Sequence, residues 1–121
     1  MMNILFSGNE KVFDGALTCA LSILKRTTSV EPFTFYIMTM DVSHLKPEYT
    51  AISDKSISFL DEVVKKYNSD NQVKKLDVSE LYMQEFSACP NEQCYCSPYT
   101  LLRLFIDKIP EITGKLLYLD I

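Results

Sequence analysis

Along this chain, short apolar runs alternate with stretches in which apolar residues recur at helical spacing. Asn3 to Phe6 (Asn-Ile-Leu-Phe) has the character of a short buried strand. Ser7-Gly8-Asn9-Glu10 follows as turn chemistry, in which glycine frees the backbone and asparagine tolerates left-handed geometry. Phe13, Leu17, Ala20, Leu21 and Leu24 then fall on one side of a helix, and Lys25-Arg26 in its last turn suits the negative end of the helix dipole. Glu31-Pro32 breaks the chain. Phe33 to Thr39 (Phe-Thr-Phe-Tyr-Ile-Met-Thr) is aromatic and β-branched enough to predict a second strand.

Asp41 to Lys55 is polar around Pro47 and reads as a loop or an irregular helix start. Periodicity resumes at Ser58, which is placed to cap a helix with Asp61 three residues on, while Ile57, Leu60, Val64 and Tyr67 share a face. Glu62 and Lys66 are spaced as an exposed i, i+4 pair. Gln72 to Val78 predicts a third strand whose lysines place it in partial contact with water, and Ser79 caps a short helix to about Phe86. Ser97-Pro98 opens a helix through Lys108, with serine at the N-cap and proline at the first helical position. Ile109-Pro110 stops it, Gly114 turns the chain, and Lys115-Leu-Leu-Tyr-Leu-Asp-Ile121 predicts a last buried strand.

Strands separated by helices imply an α/β fold, a mostly parallel sheet with helices on both faces. The final apolar run stops one residue past Asp120, so the chain is expected to be the N-terminal part of a longer protein and its sheet incomplete.

Charge and composition narrow the function classes. Twelve basic against sixteen acidic residues give a net charge of −4 with no basic block, so nonspecific nucleic-acid binding, which neutralises phosphates, is not expected. No apolar stretch approaches the ~20 residues needed to cross a bilayer, and the N-terminus lacks the basic region and cleavage site of a secretion signal. The expectation is a cytoplasmic protein, with any membrane attachment peripheral and belonging to the full-length chain. Cys19 sits in a helical pattern as a small buried thiol. Cys89, Cys94 and Cys96 lack paired C-x-x-C spacing and the lone His44, a loop residue, is distant, so reduced thiols are expected over a zinc site. A Cys94–Cys96 or Cys89–Cys94 bridge is the lesser alternative.

Three places could carry chemistry. Arg103 is flanked by Leu101, Leu102, Leu104, Phe105 and Ile106, so it needs an anionic partner: either a ligand phosphate matched by its planar fork, or Asp107 one turn on. Asp120 ends a predicted buried strand, where open α/β sheets bind ligands; it suits a hard divalent cation, or else begins a turn. In the turn after the first strand, Ser7, Asn9 and Lys11 suit a base or ribose better than a pyrophosphate, since the turn has one glycine and Glu10 would repel phosphate.

Taken in order, Asn3-Ile-Leu-Phe-Ser-Gly-Asn-Glu, Ser97-Pro-Tyr-Thr-Leu-Leu-Arg-Leu-Phe and Lys115-Leu-Leu-Tyr-Leu-Asp-Ile resemble the N-terminal half of a bacterial family-eight glycosyltransferase. The resemblance implies a GT-A fold with a Rossmann-like nucleotide-binding sheet. It also implies retaining transfer of a hexose, glucose or galactose, from a UDP-sugar to a saccharide, lipid-linked or protein acceptor. Manganese (Mn2+, or Mg2+) would be held by an Asp-x-Asp motif. Carried over by position, Ser7, Gly8 and Asn9 would line the uridine pocket, Arg103 would reach the sugar-diphosphate, and Asp120 would be the motif's first aspartate. Phe13 stands near the family's uracil-stacking aromatic and is expected to stack or to alter base specificity. Asn9 replaces a frequent acidic residue, and Asp41–Lys55 is longer than the family's usual connection. By this resemblance the acceptor-binding half would lie beyond residue 121, so residues 1–121 alone are expected to be inert. The rival reading is a non-catalytic α/β nucleotide-binding or protein-interaction module using the loop around Tyr95.

Overall fold

In the computed structural model, which describes residues 2–27, 31–44, 46–86 and 115–119, one sheet organises the chain. Its strands are β1 (Met2–Ser7), β2 (Phe33–Thr39), β3 (Gln72–Asp77) and β4 (Leu116–Tyr118). Their spatial order is β3-β2-β1-β4, with every neighbouring pair parallel. The helices are α1 (Phe13–Arg26), entered through a turn of 3-10 helix at Glu10–Val12, α2 (Asp54–Lys65) and α3 (Ser79–Phe86). Class and sheet polarity match the expectation from the alternating pattern. The helix at Ser97–Lys108 with Arg103, the cysteines at 89, 94 and 96, Tyr95 and Asp120 lie outside the described residues.

β2 is buried along its whole length, as its unbroken apolar run requires of a strand covered on both faces. Alternation sends Phe33, Phe35 and Ile37, with Ile4 and Phe6 of β1, toward α1 and α2. Leu5, Tyr36 and Met38 point the other way, onto Val78 and Tyr82 at the start of α3. Two cores therefore sandwich the sheet. α1 supplies Phe13, Ala16, Ala20 and Leu24, the two alanines letting the helix sit close to the strands. β3 is half exposed at the edge, in agreement with its lysines.

α2 differs from expectation at both ends. It begins at Asp54 with Ser53 as N-cap, whose Oγ accepts the Ser56 N–H at 3.2 Å, so Ser58 lies inside the helix. Leu60 and Val64 are buried, but Tyr67 falls past the helix end and is 45% exposed. Within this helix the described i, i+4 ion pair is Lys65 with Asp61 at 2.7 Å, one position before the expected one. The other Asp61 oxygen accepts the Val73 N–H at 3.2 Å, which occupies an outward-facing donor of the edge strand. At the amino end of the sheet, the buried Asn71 accepts from the Phe33 N–H at 2.8 Å and donates to the Val64 carbonyl at 2.9 Å. One side chain thus joins β2 to the end of α2. Among the described residues no helix is long and apolar enough to cross a membrane.

Candidate functional site at the carboxyl ends of β1 and β4

β1 is the strand at which the connections diverge. From it the chain passes to β2 through α1 on one face, whereas β4 returns to its other side after α3 on the opposite face. In open α/β sheets, ligands bind outside the carboxyl ends of the strands where strand order reverses in this way. The described residues at that point are the Ser7-Gly8-Asn9 turn and the end of β4.

The register between these strands is fixed at both ends. Asn3 Nδ2 donates to the Lys115 carbonyl at 3.2 Å, and the Leu119 N–H donates to the Leu5 carbonyl at 3.0 Å. Tyr118 is paired opposite Leu5, and its ring packs against the α3-side core. Side chains two residues apart on a strand share a face, so Ser7 follows Leu5 onto the same side. The two hydroxyls meet there: Ser7 Oγ and Tyr118 OH are 3.0 Å apart in a partly buried position.

Each residue expected at the turn has a defined place. Gly8 is buried, and its N–H donates to the Met38 carbonyl at 3.1 Å, carrying the β1–β2 ladder one residue further. Asn9 is extended (φ −108°, ψ −176°) rather than left-handed, and it is 7% exposed. Its Nδ2 donates to the Glu48 carbonyl at 3.1 Å. Phe13 lies in the core with Ile4, Phe6 and Ala16 and is 9% exposed, so its ring is packed against protein.

Glu10 does not face the crevice as a bare charge. One carboxylate oxygen accepts the Ser53 N–H at 2.6 Å, and the other accepts the Ser56 hydroxyl at 2.6 Å. A capping box normally uses a Glu three residues after the N-cap. Here that position is Ser56, and the carboxylate reaches it from 46 residues away in sequence. Burial pushes the Glu10 carboxyl up, but the bonds from Ser56 and Ser53, with the Lys75 charge, outweigh it and hold the group below its usual range. Lys75 also pairs with the exposed Asp54 at 3.0 Å, completing a charged cluster at the start of α2. The Glu10 N–H donates to the Thr50 carbonyl at 3.3 Å, so Asn9 and Glu10 together pin the loop after β2 against the first turn.

The ends of β2 and β3 are stitched in the same manner. Ser79 Oγ accepts the Asp41 N–H at 2.9 Å and donates to Asp77 Oδ1 at 2.6 Å. The Ser43 N–H donates to Asp41 Oδ1 at 3.0 Å, and this bond lowers the Asp41 carboxyl's affinity for a proton. His44 is exposed, as expected of a loop residue. Among the described residues, two concavities lie away from this edge. One is a groove of about 720 Å³ between α2 and β3, and the other is a hollow of about 290 Å³ beside Phe33 and Asn71. Asp61 in the larger groove is already committed to Lys65 and Val73.

Among the described residues no group of three His, Cys, Asp or Glu side chains is placed to hold a metal ion; Asp120, the expected ligand, lies outside them. Tyr118 is the polar side chain that sequence reasoning passed over. In Leu-Leu-Tyr-Leu it looks like core, and only the pairing with Leu5 brings it beside Ser7. No protein-family model, curated protein or solved structure matches this chain.

Proposed function

We propose that the crevice between the carboxyl ends of β1 and β4 binds the nucleotide of a UDP-sugar. The chain is then the donor-binding part of a Rossmann-like, GT-A retaining glycosyltransferase. The observation that carries this reading is the parallel order β3-β2-β1-β4, in which the reversal falls between the strands bearing Ser7-Gly8 and the approach to Asp120. A second feature supports it: the Glu10 carboxylate is hydrogen-bonded to the start of α2, so its charge is directed there.

In this reading Ser7 and Gly8 face the nucleoside. Asn9 shapes the pocket by holding the 46–53 loop rather than by touching the base. Arg103 places its planar fork on the diphosphate and offsets negative charge on the departing group. Asp120 would hold Mn2+ or Mg2+, which when bound supplies Lewis-acid stabilisation of that same charge.

Calorimetric titration with UDP in manganese-containing buffer tests the proposal. Saturable binding is expected, weakened about tenfold or more by Arg103→Ala and by Asp120→Ala, as befits loss of a charge-assisted contact. Neither substitution should move the unfolding midpoint enough to explain the loss. A native chain that shows no heat and no thermal shift with UDP, or an affinity indifferent to both substitutions, overturns the reading.

A further inference from the structure

We infer that the Ser7–Tyr118 hydroxyl pair is the contact through which the β1–β4 crevice reads the ribose hydroxyls of its nucleotide. This rests on the nucleotide-binding reading above and adds to it a specificity-determining residue, Tyr118.

Four observations lead there. First, Tyr118 is a tyrosine in a strand otherwise made of leucines, and its ring is packed in the α3-side core while its hydroxyl reaches the strand end. A phenylalanine would fill the same core. The hydroxyl adds only a polar tip, and that tip lies at the switch point.

Second, the hydrogen-bond arithmetic leaves capacity over. Two hydroxyls carry two protons and four lone pairs, and their mutual bond at 3.0 Å uses one of each. One O–H therefore points out of the pair. Either oxygen can be the donor, so the pair can present the Tyr118 proton or the Ser7 proton without losing its own bond. A ligand hydroxyl, itself donor and acceptor, matches both senses. A phosphate oxygen or a carbonyl, which can only accept, matches only through the outward O–H.

Third, the described polar side chains Asn9, Glu10 and Asp77 at this edge are committed elsewhere. Asn9 holds the Glu48 carbonyl, Glu10 holds Ser53 and Ser56, and Asp77 holds Ser79. These bonds organise loops and helix starts. The Ser7–Tyr118 bond joins two strand ends whose register is already fixed by backbone bonds and Asn3.

Fourth, the pair is neutral and partly buried. A hydrogen bond made to it from a ligand is shielded from water and discriminates more strongly than one on an open surface. A site built to bond a hydroxyl rejects the analogue that lacks it, because its own polar groups are then left unpaired.

The test compares UDP with 2′,3′-dideoxy-UDP by titration of the full 121-residue chain in manganese-containing buffer. The native chain is expected to prefer UDP by about tenfold or more. Tyr118→Phe and Ser7→Ala are each expected to weaken UDP about three- to tenfold, the worth of one neutral hydrogen bond, and to leave the dideoxy nucleotide unaffected. Ser7→Thr, which keeps the hydroxyl, should restore the preference. Unfolding midpoints are recorded for each variant, and Ser7→Ala decides alone should Tyr118→Phe fail to fold. Equal affinity of the native chain for both nucleotides overturns the inference while leaving UDP binding intact. So does a loss in the variants that is the same for both. If the native chain binds neither nucleotide, the underlying reading falls and the inference with it.

Discussion

Phe35→Ala is expected to destabilise the protein by about 3–5 kcal/mol, the range for removing a fully buried aromatic ring. Phe35 has no exposed surface and lies on β2, an inner strand buried along its whole length and paired on both sides. Its ring stacks on Phe6 of β1 (centroids 6.1 Å apart, planes at 5°) and on Phe33 two residues earlier (5.8 Å, 18°). It is thus the middle ring of a ladder running under α1 and α2. Its loss removes apolar burial and two stacking contacts together, and a strand held by ladders on both sides cannot collapse to fill the space. Phe59 is the internal control. The same residue type, on the outer side of α2, is 51% exposed, and Phe59→Ala should shift stability by no more than about 0.5 kcal/mol. Urea unfolding of the two variants side by side measures the difference. Similar midpoints would mean that β2 is not the centre of the core.

The contrast between these phenylalanines shows what the sequence could and could not reveal. β2 was legible from Phe33 to Thr39 because the apolar run is unbroken and bounded by Pro32 and Asp41, so position and burial follow from the same residues. α1 was legible because its stripe is local. The start of α2 was not, because half of its cap is remote. Ser53-x-x-Ser56 lacks the Glu or Gln that marks a capping box, while Ser58-x-x-Asp61, further on, imitates one. The missing carboxylate is Glu10, brought there by the parallel pairing of β1 with β2 and not by anything near position 53.

The candidate site divides along the same line. Ser7 and Gly8 were legible as a strand-to-helix turn, since turn chemistry is written in adjacent residues. Phe13 satisfied two patterns, a ring near the turn and the first apolar position of α1, and burial assigns it to the second. Tyr118 carried no local signal at all. Its role depends on the register of β4 against β1, a contact between residues 111 positions apart. Long-range register is the quantity that single-sequence periodicity contains least.

Glu10→Gln follows from that remote cap and is expected to reduce stability by about 1 kcal/mol near neutral pH, with Glu10→Ala costing about 2. Glutamine keeps the shape and one acceptor but loses the charge that favours the start of α2, whereas alanine leaves the Ser53 N–H without its partner. Contact of the carboxylate with water keeps the charge part of the loss modest. The pH dependence has a definite sign. The folded-state pKa of Glu10 lies below its ordinary value of 4.5, so between the two the unfolded chain binds the proton that the native chain does not. The contribution is therefore fully present above about pH 4.5 and is lost as pH falls through the lower, folded value. The stability gap between native protein and Glu10→Gln should be constant from neutral pH down to that point and then close. A gap that stays flat into strong acid would show that Glu10 acts by shape alone. Because the same carboxylate pins α2 to the first turn, Glu10→Ala should also speed amide exchange at Ser53. Asn9 holds the 46–53 loop through a separate bond to Glu48, so that loop should lose only part of its protection. Exchange confined to Ser53 and its neighbours would place Glu10 in the helix cap. Exchange spreading to Gly8 would place it in the architecture of the turn after β1 as well.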